Sequence, residues 1–307
     1  MILKRNMVTV ILIFLVFCFG IFILYGQLGD DKEKMVLVQP SKDFGSEKPS
    51  VMNHTEDKEE VNGPDVRQDD PRLVARLLKH FIIKPPPQEV PYFLNDADLD
   101  DTSMGQSKKI LNLVNYKKNG FFVECGALDG ETRSNTLVFE RTYGWSGLLI
   151  EADPSNFAEM VKKNRKAFLS PTCLSIKPHP MKVSFKQAVN IGKISDYPAG
   201  YRADGYVDVQ CFPLYTYLLA LNRTTVDYFS LDVEGNELDV LKTIPFDKVD
   251  IRTLSVEFFH VKVGEDDGKS YLREFMESKG YDVDSEVTHE NNLANDFIFY
   301  KRKTKNL

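Results

Sequence analysis

The sequence predicts an α/β fold built on a doubly wound parallel sheet, with helices covering both faces. Residues 121–125 form an apolar run that ends in a glycine turn, and residues 147–151 form a second run that ends in the acid Glu151. The run 226–232 repeats this arrangement, because an apolar strand again leads into acids and a glycine. Strands that deliver glycine turns and carboxylates at their carboxyl ends are typical of sheets that hold a nucleoside at that edge.

Strand-like and helix-like runs alternate from residue 120 to residue 302, and we take this range as the folded domain, followed by a tail at 303–307. The predicted strands are 121–125, 147–151, 172–176, 226–232, 253–259 and 296–300. The predicted helices are 135–142, 154–168, 237–243 and 269–279. The less regular stretch 181–206 is predicted to be a loop or a β-excursion over the sheet edge, where a substrate could be gripped, and a decorated loop without that role is the more common alternative.

A helical lead-in is predicted at residues 71–119, ahead of the first strand. Residues 71–83 carry leucines at helical spacing, and the prolines at 85–87 end that helix. A second helix is predicted at 103–116, closed by Gly120.

The N-terminus predicts a membrane anchor. Lys4 and Arg5 precede an apolar run at 7–24, which as a helix would measure roughly 27 Å, about the thickness of an endoplasmic reticulum bilayer. We therefore expect a transmembrane signal anchor at 7–25, with residues 1–6 cytosolic and the rest lumenal or outside, as in a single-pass type II protein. A cleaved signal peptide is the alternative, although its apolar region is normally shorter.

Residues 26–70 are rich in charged residues, serine and proline, and are predicted to be a disordered stem. The net charge of −6 gives no reason to expect a nucleic acid partner. Asn53 and Asn222 begin N-x-Ser/Thr triplets and are candidate glycosylation sites, in a number that chance alone would also give. The expected location is the endoplasmic reticulum or Golgi membrane, with an endosomal or plasma membrane as alternatives.

The chain has four cysteines, of which Cys18 falls in the predicted anchor. In an oxidising lumen we expect Cys173 to pair with Cys211, which leaves Cys125 buried and free at the end of the first strand. Three free buried thiols are the alternative. There is no C-x-x-C pair and the histidines are scattered, so no metal site is predicted.

The turn at 124–130 contains Gly126 and Gly130 but lacks the spacing of a dinucleotide fingerprint or of a P-loop. The carboxylates of Glu124 and Asp129 flank it, so the turn is a poor host for a pyrophosphate and suits a cationic, amine-bearing ligand. S-adenosylmethionine fits, because it has an ammonium, a sulfonium and a ribose but no phosphate. A plain strand-to-helix turn is the alternative.

Glu151 follows Gly126 by 25 residues (151 − 126), close to the roughly 20-residue interval between a glycine turn and the acid that binds ribose. A carboxylate at the end of a strand can accept hydrogen bonds from both ribose hydroxyls. The alternative is a surface acid at the start of a loop.

The later strands bring further polar residues to the same edge. Asp232 and Glu234 alternate along one strand, so they point the same way and could orient a substrate, hold water or act as a base. Nearby acids at a helix start usually complement the helix dipole, which again argues against a metal. Glu257 and His260 end the next strand, and histidine is a natural proton acceptor near neutral pH, although a surface histidine is the alternative.

Taken in order, these motifs resemble the FkbM methyltransferase family. The resemblance extends over about residues 120–281, and its motifs are 122–130, 134–136, 144–147, 151–154 and 231–235. It implies a class I S-adenosylmethionine-dependent methyltransferase fold, with the donor held by Glu124, Gly126, Asp129, Glu151 and Asp232. It also implies methyl transfer to a hydroxyl, often on a sugar or polyketide.

Within this resemblance, Asp232, Glu257 and His260 are the candidate catalytic residues. The anchor and acidic stem make the chain similar also to the Star-like family of arthropod membrane proteins, which implies trafficking of a signalling cargo from the endoplasmic reticulum to the Golgi. Two hypotheses follow. The chain is either a membrane-anchored O-methyltransferase acting on a glycan or small-molecule acceptor, or a catalytically silent methyltransferase fold that binds a protein cargo.

Overall fold

The structure is a computed structural model and describes residues 61–264, 266–291 and 293–303. The predicted cytosolic tail, membrane anchor and most of the stem lie outside these residues, as does Asn53. Within the described part of the chain, no helix is both long enough and apolar enough to cross a bilayer.

The described elements are short, and strands outnumber helices. In chain order they are α1 (Pro71–His80), α2 (Gln106–Leu113), β1 (Phe121–Cys125), α3 (Leu137–Tyr143), β2 (Ser146–Ile150), α4 (Pro154–Lys162), β3 (Phe168–Ser170), β4 (Cys173–Leu174), β5 (Met181–Lys186), β6 (Lys193–Ile194), β7 (Tyr206–Phe212), α5 (Leu214–Ala220), β8 (Thr225–Leu231), α6 (Glu237–Lys242), β9 (Asp250–Glu257), β10 (Lys262–Val263), β11 (Asp266–Asp267), α7 (Lys269–Ser278), β12 (Tyr281–Thr288) and β13 (Asn295–Lys301).

The main sheet has seven strands in the order β12-β13-β9-β8-β1-β2-β3. Strands β3, β2, β1, β8 and β9 are parallel, which confirms the predicted α/β class. Strand β13 runs antiparallel to both β9 and β12, so the sheet is mixed and the prediction of a wholly parallel sheet is wrong there. Only a short connection joins β12 to β13, and such a connection can make an antiparallel pair but not a crossover to a parallel strand.

The predicted strand at 172–176 is misplaced in the main sheet. The strand beside β2 is the three-residue β3, while Cys173 and Leu174 form β4 in another sheet. The predicted helix 154–168 accordingly ends early, at Lys162. Asn164 has a left-handed φ of 55°, a conformation that ends helices, and it lets the chain turn into β3.

A second sheet, of order β4-β7-β5-β6, occupies the stretch 181–206 and its flanks. The β-excursion is therefore the correct alternative for this stretch. Strands β4 and β7 place Cys173 opposite Cys211. The structure joins these two cysteines in a disulfide and leaves Cys125 buried and free.

The lead-in packs on the domain. Leu73 and Leu77 of α1 are fully buried, and such burial stabilises by roughly 1.5–3 kcal/mol per side chain. Ile83 forms an antiparallel bridge to Leu169, which covers the edge strand β3. Both helices are shorter than predicted. The end of the predicted stem is also ordered against the domain, because residues 61–70 include the buried Val66.

The core lies on both faces of the main sheet. One face packs apolar residues of β1, β8 and β9 against α1, α5, α6 and α7, and the other packs against α2 and α3. Trp145, the single tryptophan of the chain, belongs to the second face and is 2% exposed. Its ring lies 4.8 Å from that of Phe139, and Gly120 leaves room for the indole.

Candidate functional site

A cavity of about 160 Å³ opens at the carboxyl ends of the parallel strands. Strands β1 and β8 are neighbours, and the strand order runs from β1 to β2 on one side and from β8 to β9 on the other. This reversal is the point at which open α/β sheets bind ligands, because the connections diverge and leave a crevice. The cavity walls come from the ends of these four strands, from the second sheet and from the residues before β13.

The glycine turn after β1 is packed between the ends of β2 and β8. The backbone N–H groups of Gly126 and Ala127 donate to the carbonyl oxygen of Ile150, at 3.1 and 3.2 Å. Gly126 has a φ of 82°, and a Cβ at this position would overlap the carbonyl oxygen of Asp232. Only glycine fits this site, which brings bare backbone to the cavity.

Glu124 lines the cavity, but its carboxylate is occupied by protein donors. It accepts hydrogen bonds from the backbone N–H of Asn135 at 2.7 Å, from the hydroxyl of Ser134 at 2.9 Å and from the hydroxyl of Thr136. Burial raises the pKa of Glu124. Its carboxylate therefore holds the 134–136 segment against β1, and the contact with a donor molecule that the resemblance implies stays a prediction.

Arg165 is a buried organising residue that sequence reasoning missed. Its guanidinium, fully buried, lies 3.2 Å from the Glu140 carboxylate and donates to the carbonyl oxygen of Gly130 and the hydroxyl of Ser134. It also contacts the hydroxyl of Thr136 at 3.2 Å. One arginine thus ties α3 to the turn after β1. Arg165 lies in the basic run 162–166, and no feature of the sequence distinguishes it from its neighbours for this role.

The structure does not bring Asp129 to the cavity, although it was predicted to bind the donor. Its Oδ1 accepts hydrogen bonds from the backbone N–H groups of Glu131 at 2.9 Å and Thr132 at 2.7 Å. Its Oδ2 accepts from the hydroxyl of Thr132 at 2.8 Å. Asp129 therefore stabilises the turn from behind, as aspartate does in many turns.

Glu151 borders the cavity at the end of β2, where the sequence placed it. Its two carboxylate oxygens accept hydrogen bonds from the backbone N–H groups of Leu128 and Asp153, both at 2.8 Å. Burial raises the pKa of Glu151 to about 7. Apolar side chains of the second sheet, among them Phe185 and Ile194, line the cavity with it. This part of the cavity combines a carboxylate with an apolar wall.

Three carboxylates meet at the ends of β8 and β9. One oxygen from each of Asp232, Glu237 and Glu257 lies within 4.8 Å of the others, and we call these residues the acidic cluster. Glu237, fully buried, accepts from the backbone N–H groups of Val233 and Gly235, at 2.7 and 3.0 Å. Acids at this helix start, among them Glu237, were expected only to complement the helix dipole, and no metal site was predicted.

The pKa values of all three acids in the acidic cluster are raised well above those of acids in water. Burial is the main cause in all three residues, and it raises the pKa of Asp232 to about 6. The charge of Asp232 adds to burial at Glu237, whose pKa rises to about 8. Glu257 is raised to about 9 by burial and then by the charges of Glu237, Asp232 and Glu234. Like charges held this close disfavour the ionised form.

His260 and Glu234 form a hydrogen-bonded pair beside the acidic cluster. Nδ1 of His260 lies 2.8 Å from a carboxylate oxygen of Glu234 and 3.7 Å from one of Glu257. Burial and then the charges of Lys193 and Lys262 lower the pKa of His260. The imidazole is therefore neutral at pH 7. Burial also raises the pKa of Glu234 to about 7. When Glu234 is ionised, Nδ1–H donates to it and Nε2 carries the free lone pair.

The cavity holds hydrogen-bond acceptors that have no donor. In the described residues, seven buried side-chain atoms lack a hydrogen-bond partner, and four of these belong to residues that line the cavity. They are oxygens of Gln106, Asn135, Asp232 and Glu257. Six acids also line it, beside one arginine, Arg133. Gln106 comes from α2, far from every motif, and no sequence signal pointed to it.

The sheet order, its single reversed inner strand and the cavity at the β1–β8 edge define an α/β fold with a ligand crevice at its switch point. The profile of the methyltransferase FkbM domain matches residues 124–283, which is 160 of the 307 residues. The chain belongs to the methyltransferase FkbM domain family, and the resemblance seen in its motifs is confirmed.

Solved structures of methyltransferases show a distant likeness to this chain. The methyltransferase FkbM from Methylobacillus flagellatus KT is 13% identical with a TM-score of 0.43, and the match covers 65% of this chain but only 48% of that one. A methyltransferase from Pyrococcus furiosus is 14% identical, with a TM-score of 0.36 and coverages of 64% and 82%. The delta-N METTL16 methyltransferase domain is 14% identical, with a TM-score of 0.36 and coverages of 75% and 94%. No curated protein matches the chain.

Proposed function

We propose that the cavity binds S-adenosylmethionine and that the domain transfers its methyl group to a hydroxyl of a sugar-like acceptor. The observation that carries the proposal is the set of unpartnered acceptor oxygens in an acid-lined cavity at the β1–β8 edge. Such a lining favours a ligand that is cationic and donates hydrogen bonds. The ammonium and sulfonium of this donor meet both requirements, and the family makes methyltransferase chemistry the expected use.

The lining suggests how the donor is held. Glu151 at the end of β2 is the acid for the ribose hydroxyls, and the apolar side chains of Phe185 and Ile194 face the adenine. The ammonium group is assigned to the carboxylate of Asp232, close to the bare backbone of Gly126. Arg133 is the cationic lining residue and the partner for the carboxylate of the donor.

S-adenosylmethionine supplies an electrophilic methyl group, which passes to the acceptor oxygen as the carbon–sulfur bond breaks and leaves a neutral thioether. Nε2 of His260 accepts the proton that the hydroxyl loses. Glu234 holds Nδ1–H and so fixes the tautomer that makes Nε2 basic. The remaining contribution of the protein is to hold donor and acceptor in line, and such positioning contributes up to about 7–11 kcal/mol.

We also propose that this domain is carried on a type II membrane anchor at residues 7–25, in the endoplasmic reticulum or Golgi. The disulfide between Cys173 and Cys211 supports an oxidising compartment, and Asn222 is exposed and accessible to glycosylation. Oxidising lumenal space is separated from the cytosol in which methyl donors are made. That observation favours a second candidate, a silent methyltransferase fold that binds a signalling cargo in Star-like trafficking.

Titration calorimetry of the purified full chain with S-adenosylmethionine separates the two candidates. We expect micromolar binding that weakens by about 10- to 100-fold in Glu151→Ala, because charged hydrogen bonds to the ribose contribute roughly 1.5–3 kcal/mol. The matched control is Glu159→Ala, which removes an exposed carboxylate of α4 and leaves binding unchanged. A folded wild type that binds no donor would refute the enzyme and leave cargo binding as the function.

The proton transfer is tested in His260→Gln. Donor binding should stay at the wild-type level, whereas methyl transfer to a hydroxyl acceptor should fall by about 10²- to 10⁴-fold. Unchanged turnover in this variant would remove His260 from the mechanism without affecting the assignment of the donor site.

A further inference from the structure

We propose that Asp232, Glu237 and Glu257, the acidic cluster, bind a hard divalent cation, Mg²⁺ or Mn²⁺, beside the methyl donor. One oxygen from each residue lies within 4.8 Å of the others. Oxygens on opposite sides of one ion are about 4.2 Å apart around Mg²⁺ and about 5 Å apart around Ca²⁺, so the three oxygens need shift by no more than about half an ångström to share an ion of this class. They come from three elements, the end of β8, the first turn of α6 and the end of β9.

The unpartnered oxygens point to a ligand independently of this spacing. Oε1 of Glu257 accepts a hydrogen bond from the backbone N–H of Phe259 at 3.0 Å, but Oε2 is buried and has no partner. The Glu257 side chain is only 10% exposed. Oδ1 of Asp232 is likewise buried and unpartnered. Buried carboxylate oxygens normally have a donor or a cation, and these two have neither.

The surrounding charges leave the acidic cluster uncompensated. In the part of the chain that the structure describes, no lysine or arginine forms an ion pair with any of its three members. Arg133 acts on Asp232 only at longer range. His260 lies 3.7 Å from Glu257, and its Nδ1 is 2.8 Å from a carboxylate oxygen of Glu234. A divalent ion would supply positive charge where the three carboxyl groups meet, and its binding would release the protons that Glu237 and Glu257 hold in its absence.

The donor set selects the class of ion. All three ligands are carboxylates, and oxygen-only sites suit Mg²⁺, Mn²⁺ and Ca²⁺, whereas Zn²⁺ favours histidine and cysteine. Glu237 is held in place by backbone N–H groups, and its oxygens retain lone pairs for a metal. Water completes the coordination and leaves positions that a hydroxyl can take.

The use of the ion rests on the proposed methyl transfer. An acceptor hydroxyl bound to a divalent cation loses its proton more readily, and His260 lies next to the site to receive it. The ion would therefore orient and acidify the acceptor, whereas Glu151 and Gly126 serve the methyl donor. Asp232 borders both halves of the cavity, with one carboxylate oxygen for the ion and the other for the ammonium of the donor.

Electron paramagnetic resonance of Mn²⁺, titrated into the purified, chelator-stripped full chain, tests the site. We expect one Mn²⁺ per chain, displaced by Mg²⁺, with affinity weakened at least about tenfold in Asp232→Asn and in Glu257→Gln. The matched control is Asp239→Asn, which removes an exposed acid two residues from Glu237 and should bind Mn²⁺ as the wild type does. Equal affinity in all four proteins, or no binding by the wild type, would overturn the proposal.

Thermal unfolding shows whether each variant is folded and gives a second readout. Mn²⁺ should raise the melting temperature of the wild type and of Asp239→Asn, but not that of the other two variants, although both melt cooperatively. Donor titration in the presence of a chelator separates this proposal from the methyltransferase. Mn²⁺ binding without donor binding would retain the metal site and reject the enzyme, and donor binding without Mn²⁺ binding would do the reverse.

Discussion

The pH dependence of stability should be set in large part by Glu257. Its pKa is about 9 in the folded chain and 4.5 for an ordinary glutamate, so between about pH 5.5 and 8.5 only the folded state holds this proton. Because the folded state binds more protons, stability falls as the pH rises through this window. Each proton held only by the folded state lowers the free energy of unfolding by about 1.4 kcal/mol per pH unit.

Replacing Glu257 with glutamine removes this proton while keeping an oxygen that can accept from the backbone N–H of Phe259. We expect the slope of stability against pH to become shallower by about 1 kcal/mol per pH unit, since neighbouring Glu237 shares part of the effect. Near pH 7.5 the metal-free variant should therefore be more stable than the metal-free wild type, by roughly 2–3 kcal/mol.

The assay is urea denaturation in a chelating buffer at several pH values, followed by fluorescence of the single tryptophan, Trp145. This side chain is 2% exposed and becomes solvated on unfolding. Asp239→Asn is the control for charge removal, because Asp239 is exposed and lies outside the acidic cluster. Parallel stability curves for the wild type and Glu257→Gln would show that Glu257 is not protonated in the folded state, and the reasoning would fail.

Three further predictions concern the framework of the site. In urea denaturation, Gly126→Ala should lower the free energy of unfolding by at least about 2 kcal/mol more than Gly280→Ala does. Both glycines have a positive φ, but only at Gly126 would an added Cβ collide with backbone atoms. Equal costs would contradict the packing of the glycine turn. Arg165→Met should lower the free energy of unfolding by about 3–5 kcal/mol in the same assay, since it leaves the buried Glu140 carboxylate without its cationic partner. An unchanged free energy of unfolding would contradict the role of Arg165 in tying α3 to the turn after β1. Replacing Cys173 and Cys211 together by serine should lower the free energy of unfolding by about 4 kcal/mol, because the disulfide closes a separation of 38 residues. Reduction of the disulfide in the wild type should lower it by at least as much, and a smaller loss would contradict this stabilising role.

Local sequence was sufficient for the strands that carry the motifs. Strand β1 has the predicted bounds, and β2, β8, β9 and β13 overlap their predicted positions, because long apolar runs end at glycines and acids. Glu151 and Asp232 could be placed at the cavity for the same reason, since the carboxyl ends of parallel strands share one edge. The three-residue β3 and the two-residue β6 escaped prediction because strands this short carry no measurable periodicity.

The hydrogen-bond partners of the two acids in the glycine turn could not be predicted from the sequence. Glu124 and Asp129 flank the turn symmetrically in sequence, yet one carboxylate binds the 134–136 segment and the other caps the turn from behind. Which donors each carboxylate meets depends on the fold of the turn and of the segment after it. Chemical type alone therefore did not predict which protein groups each carboxylate binds.

By itself, the sequence determined the α/β class, the family, the glycine turn and the strand-end acids, because each depends on residues close together in the chain. Only the tertiary structure decided that Glu237 and Glu257 meet Asp232, that Gln106 reaches the same cavity and that Arg165 is buried beneath it. These contacts depend on strand order and on the packing of helices from segments that are far apart in sequence. Hydrophobic patterning specifies which residues are buried, but the assembled sheet specifies which buried charges become neighbours.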